Sequence, residues 1–375
     1  MKITQVAVVF VLAALAALFM QSVTQPMGFG DSSIYRQMAQ SPGTLIKPPW
    51  GFRIAVPYTA ALISNTLNID LRYAFAAMQI AMYALIMTGL WFWTSRALCT
   101  DRFSVALMCL LFMFSYPGVY NLHNVVHVGL AEHLLVLAGC IAIYHGRFSA
   151  LMCVILVSCF VKESVGMLLI PTFIIVEIAV GKRSLILRRA GMLIAIYAGC
   201  FLLLRSGLLF ANRLDTAHYA YFYSWKYMQQ LYNYWGGVLG AVKHIAVTFG
   251  PTWILALGGF IVAPSRLKWL SCLVLFAASQ IVLATDVMRM VGTAYPAVLA
   301  LSVFCLVRVK RHWAALLVGS QALYFFCYNY GVGAGSVFVV FAPVSLLILL
   351  LARYYSYVPY LQKMMPLITR RSSLR

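Results

Sequence analysis

The chain has 375 residues, 63% of them hydrophobic and only 10% charged, where a soluble domain carries roughly a quarter charged residues. Lys and Arg outnumber Asp and Glu by 28 to 8, for a net charge of +20. They stand in short clusters between apolar runs, such as Lys182, Arg183, Arg188, Arg189 and Arg308, Lys310, Arg311. That is how membrane-protein loops are charged, and it excludes the basic soluble surface a nucleic-acid partner would need.

Apolar runs of about 17–25 residues, enough to cross a roughly 30 Å hydrocarbon layer, recur from Ile3 almost to the end. Spans are expected near 3–22, 73–95, 103–116, 128–145, 148–161, 165–180, 190–209, 246–263, 269–285, 293–308, 313–329 and 336–352. Together they predict an all-α, polytopic transmembrane helical bundle of about twelve spans. The first run has Lys2 on its flank and no convincing small-residue cleavage site, so it reads as a signal anchor. The run 54–69 contains Pro57, Ser64, Asn65 and Asn68; it reads as an interfacial helix and is not counted as a span. Counting it would reverse every later segment and put the basic loops outside, against the positive-inside tendency.

This topology gives a single transmembrane domain over 1–352 and a basic cytoplasmic tail over 353–375. A first extracytoplasmic loop, 24–72, contains the interfacial helix, and a second large one covers 210–245. Short outer turns fall near 116–127, 162–163, 286–292 and 328–335, while the inner face keeps only tight basic turns. Both termini are expected in the cytoplasm, and the membrane of a bacterial owner would be the inner one. Nine cysteines lie singly in apolar runs and read as small buried hydrophobes.

The eight acidic residues are the informative ones, and five of them, Asp31, Asp70, Glu163, Asp215 and Asp286, fall on the outer face. Asp31 sits in Gly-Phe-Gly-Asp-Ser-Ser-Ile-Tyr at 28–35, just after the first span. A carboxylate there can act as a general base on an acceptor hydroxyl, or can cap the following helix. Tyr35 and Arg36, next in the chain, are candidate substrate contacts. Trp50 reads as an interface anchor and candidate substrate contact. The planar donor fork of Arg53 suits a lipid-linked phosphate, with a lipid headgroup or Asp70 as its plainer partners.

His123 and His127, four apart, can share a helix face; they bind substrate or backbone more readily than a metal, because their spacing with Glu132 and His133 is not that of a zinc helix. Glu132 lies inside an expected span, where a carboxylate must be paired or neutral or line a polar cavity. The adjacent Lys162 and Glu163 form either a tight helical hairpin or a phosphate contact with its orienting carboxylate. Asp286 and Arg289, three apart, make either a surface pair or a second phosphate and sugar contact. The aromatics of 218–235 read as an interfacial belt, with a substrate-facing lid as the sharper alternative.

Taken together, these residues and their layout resemble the GT-C superfamily of integral membrane glycosyltransferases, in its bacterial-type members. Asp31 in Gly-Asp-Ser-Ser-Ile-Tyr matches the place of that superfamily's catalytic aspartate, at the start of the first outer loop. Arg53, the Lys162-Glu163 junction and Asp286/Arg289 resemble its other outer-face features. The resemblance implies transfer of a sugar from a polyprenyl-phosphate donor to a glycan or lipid acceptor, among membrane lipids, on the extracytoplasmic face. The first loop lacks an Asp-Glu or Glu-Asp doublet, so no motif indicates a divalent metal and the cofactor stays open. A polysaccharide polymerase and a lipid-linked substrate transporter or flippase are the alternatives; the rim placement of charge favours an enzyme over paired-repeat transport.

Overall fold

A computed structural model describes residues 3–25, 32–42, 53–98, 101–180, 183–206, 224–280, 287–331 and 337–352, and among them all regular structure is α-helical, with no strand. The protein is an integral membrane protein by composition and fold. α1 (Ile3–Val23) packs along α4 (Leu71–Ala97). These two and the apolar stretch Leu185–Leu204 of α10 (Arg183–Arg205) are each long and apolar enough to cross a membrane.

Among the described residues, two expected spans are bent helix pairs, each a broken span or a re-entrant loop. The run near 103–116 is α5 (Arg102–Met113) followed by α6 (Tyr116–His123), bent by 52°. Pro117, in the first turn of α6, cannot donate to a continuing helix, and Ser115 before it is extended. The expected outer turn near 116–127 is therefore mostly helix. The run near 246–263 is α12 (Gly237–Phe249) and α13 (Thr252–Val262), bent by 79° at Gly250-Pro251. Gly250 has φ +51, and a Cβ there would lie 2.3 Å from the Tyr324 ring, so both backbone and neighbour require glycine.

The remaining helices are shorter. α7 (Gly129–His145), α8 (Phe148–Val161) and α9 (Ser164–Val180) form a consecutive trio against α4 and α10. α11 (Trp225–Tyr234) lies within the second expected loop. α14 (Ser265–Leu270), α15 (Cys272–Ser279) and α16 (Val287–Gly292) lead to α17 (Tyr295–Leu306), α18 (Arg311–Asn329) and α19 (Val337–Ala352). Among the described residues, five apolar helices of 10–17 residues accompany three helices long and apolar enough to cross, or five if each bent pair is one span. The structure thus supports a polytopic helical bundle and leaves the expected count of twelve unconfirmed.

The first loop folds onto this bundle. α2 (Ser32–Gln40) buries Tyr35, Met38 and Ala39 against Val56 and Ala60 of α3 (Ala55–Leu67) and Phe75 of α4, making a satellite core. α3 has 13 residues, about 20 Å of helix. It stops at Asn68, held at φ +50, and Asp70 then caps α4 by accepting from the Arg72 N–H at 2.7 Å.

Hydrogen bonds define the two ends of the bundle. At one end α1, α6 and α18 finish together: Thr24 Oγ1 meets His123 Nε2 at 2.7 Å, and Gln25 N–H donates to Asn329 Oδ1 at 2.8 Å. At the other, Asp101 caps α5, Arg311 lies over the Phe103 ring at 5.6 Å, and Glu177 accepts from Arg266 at 2.7 Å.

Candidate functional site

The first of these ends carries a buried polar cluster. Glu132 lies in the first turn of α7 and is fully buried, where the amide dipoles favour a carboxylate. Lys162 ends α8 in an extended conformation that turns the chain into α9, and its ammonium pairs with Glu132. Ser164 Oγ donates to the other Glu132 oxygen at 2.5 Å, and Gln280 Nε2 donates to the Ser164 carbonyl at 3.4 Å. Two charges out of water cost several kcal/mol each unless mutually satisfied, and this pair has the partners that requirement demands.

Arg53 enters from the first loop. Its fork is bidentate on Glu163, Nε to Oε2 at 3.2 Å and Nη2 to Oε1 at 2.8 Å, and its Nη1 donates to the Tyr35 hydroxyl at 3.2 Å. Burial by itself works against the Arg53 charge, but Glu163 and Tyr35 outweigh it and hold the guanidinium above its ordinary pKa. The Tyr197 hydroxyl of α10 donates to the Glu163 carbonyl at 3.0 Å and fixes the turn. The loop segment before α3 and the α8–α9 turn are therefore tied by charge across 110 residues of chain.

His127 occupies the non-helical link between α6 and α7. Its ring stands edge-on to Tyr35 with centroids 5.6 Å apart, and its carbonyl accepts from Gln79 of α4. Nδ1 accepts the Gly129 N–H at 3.0 Å, which in the neutral ring assigns the proton to Nε2. Nε2 is 3.4 Å from Arg289 Nη1 of α16, so with that tautomer an imidazole N–H and a guanidinium N–H are neighbouring donors. Burial, then the Arg289 and Lys162 cations, push the imidazole pKa well below its usual value. The described residues of the cluster set three cations, Arg53, Lys162 and Arg289, against two carboxylates, Glu132 and Glu163.

Of the residues singled out in the sequence, the structure brings together Tyr35, Arg53, His127, Lys162, Glu163 and Arg289. Arg36 is exposed, one position round α2 from buried Tyr35. His123 and His127 do not share a helix face: α6 ends at His123, where Asn124 turns away and donates its amide to the Tyr120 carbonyl at 3.0 Å, and His123 bonds Thr24 instead. Asp31, Trp50 and Asp286 lie outside the described residues. Arg53 takes Glu163, not Asp70, as partner. Sequence reasoning missed Ser164 and Gln79; a serine beside Lys-Glu at a span boundary was the available signal for the first. Among the described residues no three His, Cys, Asp or Glu side chains come close enough to hold a metal ion.

No family model and no curated protein matches the sequence. Among solved structures the chain is similar to ArnT from Cupriavidus metallidurans bound to undecaprenyl phosphate, at a TM-score of 0.54 and 11% identity, over 94% of this chain and 77% of that one. The likeness shows the fold alone, which resembles that of the ArnT structure.

Proposed function

We propose that the protein is a membrane glycosyltransferase that moves a sugar from a polyprenyl-phosphate donor to a glycan or lipid acceptor on the extracytoplasmic face. The observation that carries this reading is the convergence of Arg53, Lys162 and Arg289, from three distant chain segments, on one site. Water-excluded cations held in place before the reaction stabilise the charge that develops on a departing phosphate. The crystal structure of the ArnT neighbour with undecaprenyl phosphate supports a polyprenyl lipid as the donor's carrier.

In this reading the acceptor oxygen attacks the anomeric carbon, the bond from that carbon to the phosphate oxygen breaks, and polyprenyl phosphate leaves. Asp31 takes the acceptor's proton, a role worth roughly 10²–10⁴ in rate. Arg53, Lys162 and Arg289 neutralise the leaving phosphate, and the neutral imidazole of His127 lies beside Arg289 as a further donor. Glu163 holds the Arg53 fork until the phosphate competes for it. Tyr35, Arg36, Trp50, His123 and Asp286 remain candidate sugar, acceptor or lipid contacts. Transport would call for polar groups between the two ends, whereas Glu132 stands at the cluster end bonded to Lys162 and Ser164.

Purified protein incubated with a panel of polyprenyl-phosphate sugars and lipid or glycan acceptors tests this. Wild type should release polyprenyl phosphate from one donor, while Asp31→Asn, eluting and melting like wild type, should release none. Full turnover by that variant would remove the base, and no release from any donor would remove the transferase reading.

A further inference from the structure

At the opposite end of the bundle, where α1 starts and α4 finishes, a groove of about 570 Å³ opens between them and the start of α5. That volume lies within the roughly 300–1,000 Å³ of small-ligand sites. Its chemistry is graded along its length. Toward the helix ends it is lined by Arg96, Arg102, Ser95, Thr4 and Gln5, and deeper by Val8, Val9, Trp91 and Phe92. The Arg96 guanidinium lies 5.6 Å from the Phe92 centroid, at the boundary between the two zones.

Asp101 also lines the groove, but both its oxygens are engaged in its own helix: Oδ1 accepts from the Phe103 and Ser104 amides at 3.1 and 3.2 Å, and Oδ2 from Ser104 Oγ at 2.6 Å. The Ser104 hydrogen bond, ahead of the backbone amides and the Arg311 cation, holds its carboxyl below the ordinary range despite slight burial. It stays charged as a cap, so the mouth sets two guanidiniums against one carboxylate and keeps a net positive charge. Beyond the groove, Val11, Leu12 and Leu15 of α1 are exposed, so an apolar chain leaving it continues along a lipid-facing helix.

We infer that this groove binds an anionic glycerophospholipid, with its phosphate between Arg96 and Arg102, its glycerol and headgroup hydroxyls on Ser95, Thr4 and Gln5, and an acyl chain over Val8 and Phe92. A polar mouth of net positive charge on an apolar floor between two transmembrane helices is the arrangement that selects an anionic headgroup. The site is separate from the buried cluster. Glu177, which marks the same end as the groove, lies thirteen residues along α9 from Ser164, about 20 Å of helix.

The test is native mass spectrometry of detergent-purified full-length protein titrated with phosphatidylglycerol or with phosphatidylcholine of the same chains. Wild type should hold one phosphatidylglycerol in preference to phosphatidylcholine, and millimolar inorganic phosphate should not displace it. Arg96→Gln with Arg102→Gln should weaken that binding by about tenfold. Arg308→Gln, an exposed cation outside the groove, should leave it unchanged. Equal retention of the two lipids, equal loss with Arg308→Gln, or undiminished binding in the double variant would overturn the site. Lys268→Gln, at a separate groove lined by Trp253 and Trp269, should be as silent as Arg308→Gln, and an effect there as large as the double variant's would count against the site too. Thermal unfolding and elution of each variant alongside wild type separate a lost ligand from a lost fold.

Discussion

Glu132 and Lys162, at 0% and 2% side-chain exposure, stand or fall as a pair. Glu132→Ala leaves an ammonium buried without its carboxylate and should cost about 3–5 kcal/mol, read as a drop in unfolding temperature in detergent. Glu132→Leu with Lys162→Met, of similar volume and no charge, should recover most of that stability and yet lose turnover. Such a split assigns the pair to chemistry, whereas a double variant with normal turnover would make it a structural relic. At Arg53, replacement by Lys keeps the charge but loses the fork on Glu163, so kcat/KM for the donor should fall roughly tenfold with stability little changed. His127 adds a pH dependence. Its folded pKa lies below the unfolded value, so the stability it contributes is complete above about pH 6.5 and is lost as pH falls toward the lower, folded pKa, because the unfolded chain takes up a proton that the native one refuses. His127→Asn, which preserves an acceptor for Gly129, should flatten that acid limb of the melting curve.

At the scale of helices, close backbone approach decides more than length. A Cβ on Gly259 of α13 would lie 1.8 Å from the Leu301 carbonyl oxygen of α17, whereas Gly191 of α10 has nothing within 4 Å. Gly259→Ala should therefore destabilise by about 1–3 kcal/mol or more, while Gly191→Ala should be neutral or stabilising, since alanine favours a helix by up to about 1 kcal/mol; both are read by thermal unfolding. Helix positions were legible in the sequence because apolar runs fix them: α4, α7, α8, α9, α18 and α19 fall within a few residues of the expected spans. The end of α3 was legible from Asn68, a residue suited to the left-handed position that stops the helix. The breaks at Ser115 and Gly250-Pro251 were not, since hydropathy averages across a bend. The cluster was half legible. Arg53, Lys162, Glu163, His127 and Arg289 stand out in so apolar a chain, but which cation meets which carboxylate depends on how α7, α8 and the first loop pack, and no spacing encodes that. Arg53 choosing Glu163, and Lys162 choosing Glu132 over its own neighbour, are tertiary facts.

Across the whole molecule, the cluster and the basic groove sit at opposite ends of the bundle, one suited to a reacting phosphate and the other to a resident lipid. The central claim concerns the first: Arg53, Lys162 and Arg289 act as one phosphate site. Its most direct measurement is the affinity of detergent-purified protein for polyprenyl phosphate, wild type beside Arg53→Gln, Arg289→Gln and the Glu132→Leu/Lys162→Met pair, each checked for an intact melt. Losing a charge-assisted contact should weaken binding by about tenfold in every variant, while Arg96→Gln with Arg102→Gln leaves it unchanged. Wild-type affinity in all three cluster variants would contradict the claim.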